Sequence, residues 1–423
     1  MMSISNPLRN LSKWRPGLLV QNAIALMVSS GGSALLGILF WIVAARIDTP
    51  TQVGRATAEI AAMMLLATLA QLSFGSIFER FLPVAGEFTM SFVRRAYFSC
   101  VICAVVLAVA YLGFNLGHNF LPSAVGWKVM FAASVVVWTI FALQDSVLIG
   151  LRASRWVAVE NISYGAAKLA LLPVAVVLTA TQGIFLTTIV PVLPAVLAVN
   201  WYLFRRRIPE HSLANPASEA LPAMRSLVVL ASAQYASLLS SVFMPAIVTL
   251  IVIARLGPIA NAHYYLPSMI SMNLGLLSWG VVRSFLVEAT TEPGELRRHT
   301  NSAIRALTAV LLPSVIIGYV FAPDYLRLFG TSYATHGVAL MRMLLVSLLG
   351  STVSVFYSAF AWLDQRVWWM TARNVASSFV YLIMVYLLIG HIGINAIGVA
   401  TMVYSGTTVV IFLPISIRRY RRI

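Results

Sequence analysis

A chain of 423 residues that is 60% hydrophobic and only 10% charged, with a mean hydropathy of +0.88, is not a soluble globular protein, which would carry about 25% charged residues. The formal charge of +16 suggests nucleic acid only until its placement is followed along the chain. Apolar runs of about 20 residues recur throughout, the length that crosses a ~30 Å hydrocarbon core.

Twelve spans are predicted, at 20–45, 54–79, 96–116, 127–150, 158–180, 183–204, 226–254, 262–287, 302–322, 338–361, 368–390 and 393–416. All should be α-helices, because a bilayer offers the backbone no outside partner. The short alternating strands of an outer-membrane barrel are absent. The first span is too long for a cleaved signal peptide and has no convincing cleavage site.

Span one carries Asn22, Ser29 and Ser33 on one helical face, and Ser33 with Gly37 fits a small-xxx-small helix contact. It ends in Ala45-Arg46, followed by Pro50 and Gly54. Span two holds Glu59 near its outer start and closes on 72-LSFG-75 and Arg80. Cys100 and Cys103 form a C-x-x-C pair at the start of an apolar span, where they are expected to pack as small hydrophobes rather than to serve redox chemistry. Asp145 lies toward the cytoplasmic end of span four, and Lys168 about ten residues into span five, too deep to snorkel comfortably. Charges inside spans cost ~2.5–3.5 kcal/mol or more, so these carry a functional expectation. Lys168 is expected to face a cavity. Asp145 and Glu59 either bind a proton or cation or stay water-reached at span ends. Pro173, Pro191, Pro194, Pro245 and Pro313 should kink or end their helices.

The segment 205-RRRIPEHSLANPASEALPAM-224 is the longest polar stretch and looks like a cytoplasmic linker between two six-span halves, 1–204 and 226–423. Span seven then repeats a polar face, with Gln234, Ser237 and Ser241, and ends at 249-TLIVIARLGP-258. The polar faces of spans one and seven either pack against neighbouring helices or line a substrate cavity, and the duplicated position keeps the second reading. The halves match elsewhere too. Ile42 to Arg46 matches Ile251 to Arg255, 72-LSFG-75 matches 277-LSWG-280, and each of the latter is followed by an arginine, Arg80 or Arg283, and Phe-Leu. Trp156 leads to Asn161 as Trp369 leads to Asn374. Four matches in one order indicate duplication. Each half crosses six times, so both enter from the same side and enclose a cavity between them.

The basic residues sort by side. Arg9, Lys13 and Arg15 of the N-terminal tail, the residues of every second connection and the C-terminal arginines place 22 of the 29 cations on one face, against six on the other, with Lys168 inside a span. The positive-inside rule then puts both termini in the cytoplasm. The charge is topology, and no nucleic-acid partner is expected. No Ser-His-Asp set, glycine-rich phosphate loop, carboxylate pair or metal-ligand spacing emerges, so no catalytic residue, metal or cofactor is implied.

The basic tail, the long first span, Ala-Arg, Pro50, Gly54 and the ending Phe78-Glu79-Arg80-Phe81-Leu82-Pro83 resemble the polysaccharide-biosynthesis (Wzx-type) branch of the multidrug/oligosaccharidyl-lipid/polysaccharide exporter (MOP) superfamily. Members often carry an acid between that proline and glycine, where this chain has Thr51, Gln52 and Val53. The resemblance implies an all-α membrane protein with two six-helix lobes in a bacterial cytoplasmic membrane. It implies a flippase that carries a lipid-linked oligosaccharide, with glycosyltransferases or a polysaccharide polymerase as partners. On that reading Lys168, Arg46, Arg80, Arg255 and Arg283 attract the diphosphate head, whose oxygens a guanidinium fork matches. Two alternatives stand beside it. A drug or organic-cation antiporter usually carries an acid in span one or seven, and residues 18–45 and 226–254 contain none. A non-transporting scaffold for polysaccharide assembly would give Lys168 and Asp145 no task.

Overall fold

A computed structural model describes residues 16–179, 181–214, 224–291, 293–363 and 367–421; side chains are described from residue 31 onward, save 214–242, 361–372, 419–421 and scattered positions that include Arg283. Fifteen α-helices are present among the described residues, and no strand. In chain order they are α1 (Pro16–Ile47), α2 (Pro50–Ala70), α3 (Phe74–Phe81), α4 (Thr89–Gly113), α5 (Val125–Gly150), α6 (Ser154–Thr179), α7 (Gly183–Ile189) and α8 (Val192–Tyr202). There follow α9 (Ile208–Ala214), α10 (Met224–Thr291), α11 (Leu296–Val320), α12 (Ala322–Arg327), α13 (Thr331–Leu363), α14 (Val367–Ile392) and α15 (Asn395–Arg421). Among the described residues, ten helical segments are long and apolar enough to cross a membrane. One of them, Phe243–Leu286, contains two spans, and α1 supplies one more, so every predicted span has its helix.

The elements break where the backbone demands it. Span two is split because Leu72 and Ser73 both take left-handed conformations (φ 49° and 60°), ending α2 and starting α3. Its duplicate, 277-LSWG-280, runs on unbroken inside α10. Span six divides at Pro191, which precedes α8. Pro173, Pro245 and Pro313 sit inside continuous helices instead of ending them. Spans seven and eight meet at Gly257, whose φ of 84° and ψ of 178° no side-chain-bearing residue holds without strain. The second Ala-Arg pair therefore plays the part of the first: each closes a span just before a sharp reversal, at Thr49-Pro50 and at Gly257-Pro258. Gly257→Ala is expected to cost about 1–3 kcal/mol, read as a lower unfolding temperature in detergent; superimposable melting curves would contradict this account of the break.

The expected small-xxx-small contact does not form at Ser33 and Gly37, since nothing lies within 4 Å of where a Gly37 Cβ would stand. α1 instead meets α6 through Gly32 against Ile162 (3.4 Å) and Gly165 against Leu36 (3.0 Å). The start of the expected linker is also structured: Arg207 donates to Leu151 O (2.9 Å), His211 Nε2 lies 3.0 Å from Leu82 O, and Ser212 donates to Gly86 O (3.1 Å). These bonds fasten the segment to the turns that follow α3 and α5. Cys100 and Cys103 are free thiols, with Cys100 buried, as the packing reading expects.

The hydrophobic cores reveal how the halves sit. One cluster joins both halves at the end carrying Arg46, uniting Phe40, Ile60 and Phe185 of the first half with Ile253, Leu266 and Leu345 of the second. At the end carrying Arg80 the cores are separate: Phe78, Leu148 and Leu203 belong to one, and Phe285, Leu307 and Phe360 to another. Apolar surface is shared where halves touch and divided where they part. Among the described residues the halves thus share a core at the Arg46 end and share none at the Arg80 end.

Candidate functional site

The Arg46 end is built on one close approach. A Cβ at Gly54 would stand 1.7 Å from Pro258 O, so α2 meets the second half of α10 backbone to backbone. Asn261, fully buried, donates from Nδ2 to Gly54 O (2.8 Å) and to Thr57 Oγ1 (2.9 Å). Arg46 adds a clasp: its Nε donates to Leu328 O (2.8 Å) and its Nη2 to Arg327 O (2.7 Å), capping the carbonyl end of α12. Arg46 was expected to draw in an anionic head; the carbonyls it holds give it a structural task in this state.

Lys168 lies deeper. Its Nζ stands 3.9 Å from the centroid of the Phe40 ring, 5.8 Å from Trp41 and 6.0 Å from Tyr164. Trp41 in turn packs on Tyr265 of the other half at 5.0 Å, so this aromatic cage lies beside the junction between halves. No carboxylate approaches Lys168 within salt-bridge distance among the described residues. Desolvated cation–π contacts contribute roughly 2 kcal/mol each, which offsets the cost of burial without neutralising the charge. The other predicted cations do not gather around it. Arg80 is exposed beside the Phe81 ring (5.4 Å), and Arg255 is exposed over Tyr386 (4.2 Å). Arg283, Asn22, Ser29, Gln234, Ser237 and Ser241 fall outside the described side chains. Ser33 is half-buried, and its hydroxyl has no partner.

The carboxylates are less water-reached than span-end residues should be. Glu59 is 1% exposed. With the Gln182 amide turned so that nitrogen faces it, Gln182 donates to both Glu59 oxygens, at 2.9 and 3.2 Å. Asp145 is half-buried and belongs to a polar network within the first half. Asn161 Nδ2 donates to Asp145 Oδ2 (3.1 Å), Gln144 donates to Glu160 Oε1, and Asn200 Nδ2 donates to Gln144 Oε1 (2.6 Å). Glu160 is 5% exposed. Asp145 Oδ1, Glu160 Oε2, Asn200 Oδ1 and the Tyr97 hydroxyl, all buried, have no partner. Sequence reading found Asp145 but missed Glu160, Gln144 and Asn200. The available signal was five polar residues at one depth, on spans four, five and six.

The second half holds a neutral counterpart. A cavity of about 230 Å³ is lined by the hydroxyl residues Tyr264, Ser268, Ser271, Ser347, Ser351 and Tyr381 interleaved with apolar side chains such as Met244, Val248 and Leu348, and the Ser271 hydroxyl is buried without a partner among the described residues.

No family model matches the chain, and no curated protein matches it. Solved structures do. A structure described as the inward-facing conformation of a multidrug resistance MATE family transporter of the MOP superfamily aligns with a TM-score of 0.69 at 12% identity, over 92% of this chain and 95% of that one. The outward-facing conformation of a multidrug resistance MATE family transporter aligns with a TM-score of 0.61 at 13% identity, over 96% of each. A MOP superfamily transporter from Pyrococcus furiosus aligns with a TM-score of 0.62 at 16% identity, over 95% of each. The chain has the two-lobed, twelve-helix fold of these transporters.

Proposed function

We propose that this chain, a multi-pass protein with the fold of MOP superfamily transporters, is a flippase for a lipid-linked (polyprenyl-phosphate) oligosaccharide in a bacterial cytoplasmic membrane. The observation that carries the reading is Lys168: a half-buried lysine within a span beside the junction of the halves, its ammonium held by rings and with no carboxylate in salt-bridge distance among the described residues. An anion crossing hydrocarbon needs a cation to replace its water, whereas a site for organic cations needs the opposite charge. The fold itself serves the antiporter alternative equally well. Polarity favours the flippase, and so does the absence of Asp and Glu from residues 18–45 and 226–254. The Pyrococcus furiosus structure is described as having a binding pocket of reverse polarity that suggests a different function for that protein.

The lobes are 1–204 and 226–423, joined by 205–225, and the charge asymmetry sets both termini and the Arg80 end in the cytoplasm. On that orientation the separate cores at the Arg80 end correspond to an inward-open state, and the higher score against the inward-facing relative supports it. The mixed cavity of the second half, apolar walls set with tyrosine and serine hydroxyls, would suit an amphipathic cargo that brings both sugar and lipid. Asp145, with Glu160 beside it, and Glu59 are the candidates for coupling a proton or monovalent cation to the cycle. Glycosyltransferases or a polymerase would supply and consume the cargo on opposite faces.

The test is leaflet accessibility of the lipid-linked sugar in cells depleted of this protein and rescued with wild type or Lys168→Ala. The expected result is cargo trapped on the cytoplasmic face after depletion, restored by wild type and not by the expressed variant. Cargo that still reaches the outer face after depletion would count against the flippase.

A further inference from the structure

We infer that Arg373 is a second contact for the phosphate of the transported lipid, placed in the second half at a different depth from Lys168; this rests on the flippase reading above. Arg373 lies near the start of α14. Its Nε and Nη2 reach Asn374 Oδ1 (3.2 and 2.5 Å), and Nη2 also reaches Ser354 Oγ (3.2 Å). The guanidinium stands 4.6 Å from the Phe412 ring and 5.3 Å from Tyr357. Nη1 is buried and has no partner, and no carboxylate lies within salt-bridge distance among the described residues. A guanidinium cannot shed its charge by losing a proton. A half-buried cation with no counter-charge among the described residues is costly in a bilayer, and two rings offset only part of that cost. The arrangement uses one edge of the fork for positioning and leaves the other edge open, which is the geometry that a phosphate oxygen completes.

The duplication gives an independent reason. Trp156 leads to Asn161 as Trp369 leads to Asn374, so Arg373 occupies the place that Glu160 holds in the first half. Glu160 is satisfied on one oxygen by Gln144, and its network stays inside one lobe. At the matching position the charge is inverted and the neighbours are a serine, an asparagine and two rings, none of them anionic. On α6, Lys168 stands eight residues beyond Glu160, about 12 Å along a helix. The two uncompensated cations are therefore staged. A phosphate arriving from the Arg80 end meets Arg373 first and Lys168 deeper, a stepwise route rather than one charged pocket.

The ligand is a phosphate carried on a lipid, and two sources share that chemistry: an isoprenoid diphosphate, or the headgroup of an ordinary anionic phospholipid in the leaflet. The test uses the full chain in phosphatidylcholine nanodiscs, with farnesyl diphosphate as probe and tryptophan fluorescence as readout. It compares wild type, Arg373→Gln, Arg373→Lys and Lys168→Gln, with phosphatidylglycerol retention measured by native mass spectrometry. Arg373→Gln is expected to weaken farnesyl diphosphate tenfold or more. Arg373→Lys, which keeps the charge but not the fork, is expected to weaken it several-fold with an unchanged melting temperature. The lysine variant keeps the test valid if the glutamine variant fails to fold. Wild-type affinity in both Arg373 variants, with loss in Lys168→Gln, overturns the inference and leaves the flippase reading standing. Loss of retained phosphatidylglycerol with unchanged farnesyl diphosphate affinity overturns it as well, making Arg373 a leaflet contact. No binding to wild type overturns both.

Discussion

Gly54→Ala is expected to stop the molecule from closing at the Arg46 end and to reduce transport by more than tenfold. The added Cβ would lie 1.7 Å from Pro258 O, an atom of backbone that cannot rotate away. The helices would have to separate, pulling Asn261 Nδ2 from Gly54 O and Thr57 Oγ1 inside a buried junction. Each buried group left without its partner costs about 1–3 kcal/mol, while the state open at that end suffers no such clash. The equilibrium between states shifts by the difference, and a few kcal/mol is enough to empty one of them. Spin labels on Ile47 and Leu328, both exposed and brought together by the Arg46 bonds to Arg327 O and Leu328 O, report the state directly. Wild type should show a short distance component that Gly54→Ala loses. A variant that keeps the short distance and full transport would show that this contact does not control closure.

The second large effect is expected at Asn161, whose side chain gives Asp145 Oδ2 its hydrogen bond while Oδ1 has none. Asn161→Leu strips the carboxylate of that donor within the helix bundle. A hydrogen bond to a charged group contributes about 1.5–3 kcal/mol, so the variant should melt below wild type. Replacing both partners by apolar residues, Asp145→Leu with Asn161→Leu, should recover most of the lost stability, because no polar group is then left unsatisfied. Transport should not recover with it if Asp145 couples an ion to the cycle. A double variant that is both stable and fully active would assign the pair to packing alone.

How much of this was written plainly in the sequence depends on which force sets each feature. The twelve helices were legible because the bilayer imposes length and apolarity on each span separately. The duplicated Ala-Arg was legible as a repeat, but its meaning, a reversal after each span, needed Gly257 to be seen at a positive φ. The break after Gln71 was not legible: 72-LSFG-75 and 277-LSWG-280 are nearly the same four residues, and only the first leaves the helix. Tertiary packing, not local preference, makes that choice. Lys168 was found because a charge inside a span stands out against hydrocarbon. Arg373 was passed over because it sits among arginines that topology alone explains, and only its open nitrogen, with no acid in salt-bridge distance among the described residues, sets it apart. Glu160 was hidden similarly, next to a span end, where a carboxylate is unremarkable until its burial is known. Arg46, expected to bind cargo, also holds the carbonyls at the end of α12, a contact between distant segments that the sequence alone does not show.

The most direct test of an anion-carrying cavity is transport by the purified chain in proteoliposomes, offered a fluorescent polyprenyl-diphosphate oligosaccharide or a lipophilic organic cation. The account predicts that the lipid-linked anion changes leaflet at a rate that falls at least tenfold in Lys168→Ala, while the cation does not move above the protein-free rate. Cation transport that survives Lys168→Ala, with the lipid-linked sugar left in its original leaflet, would contradict it and assign the chain to the antiporters that share its fold.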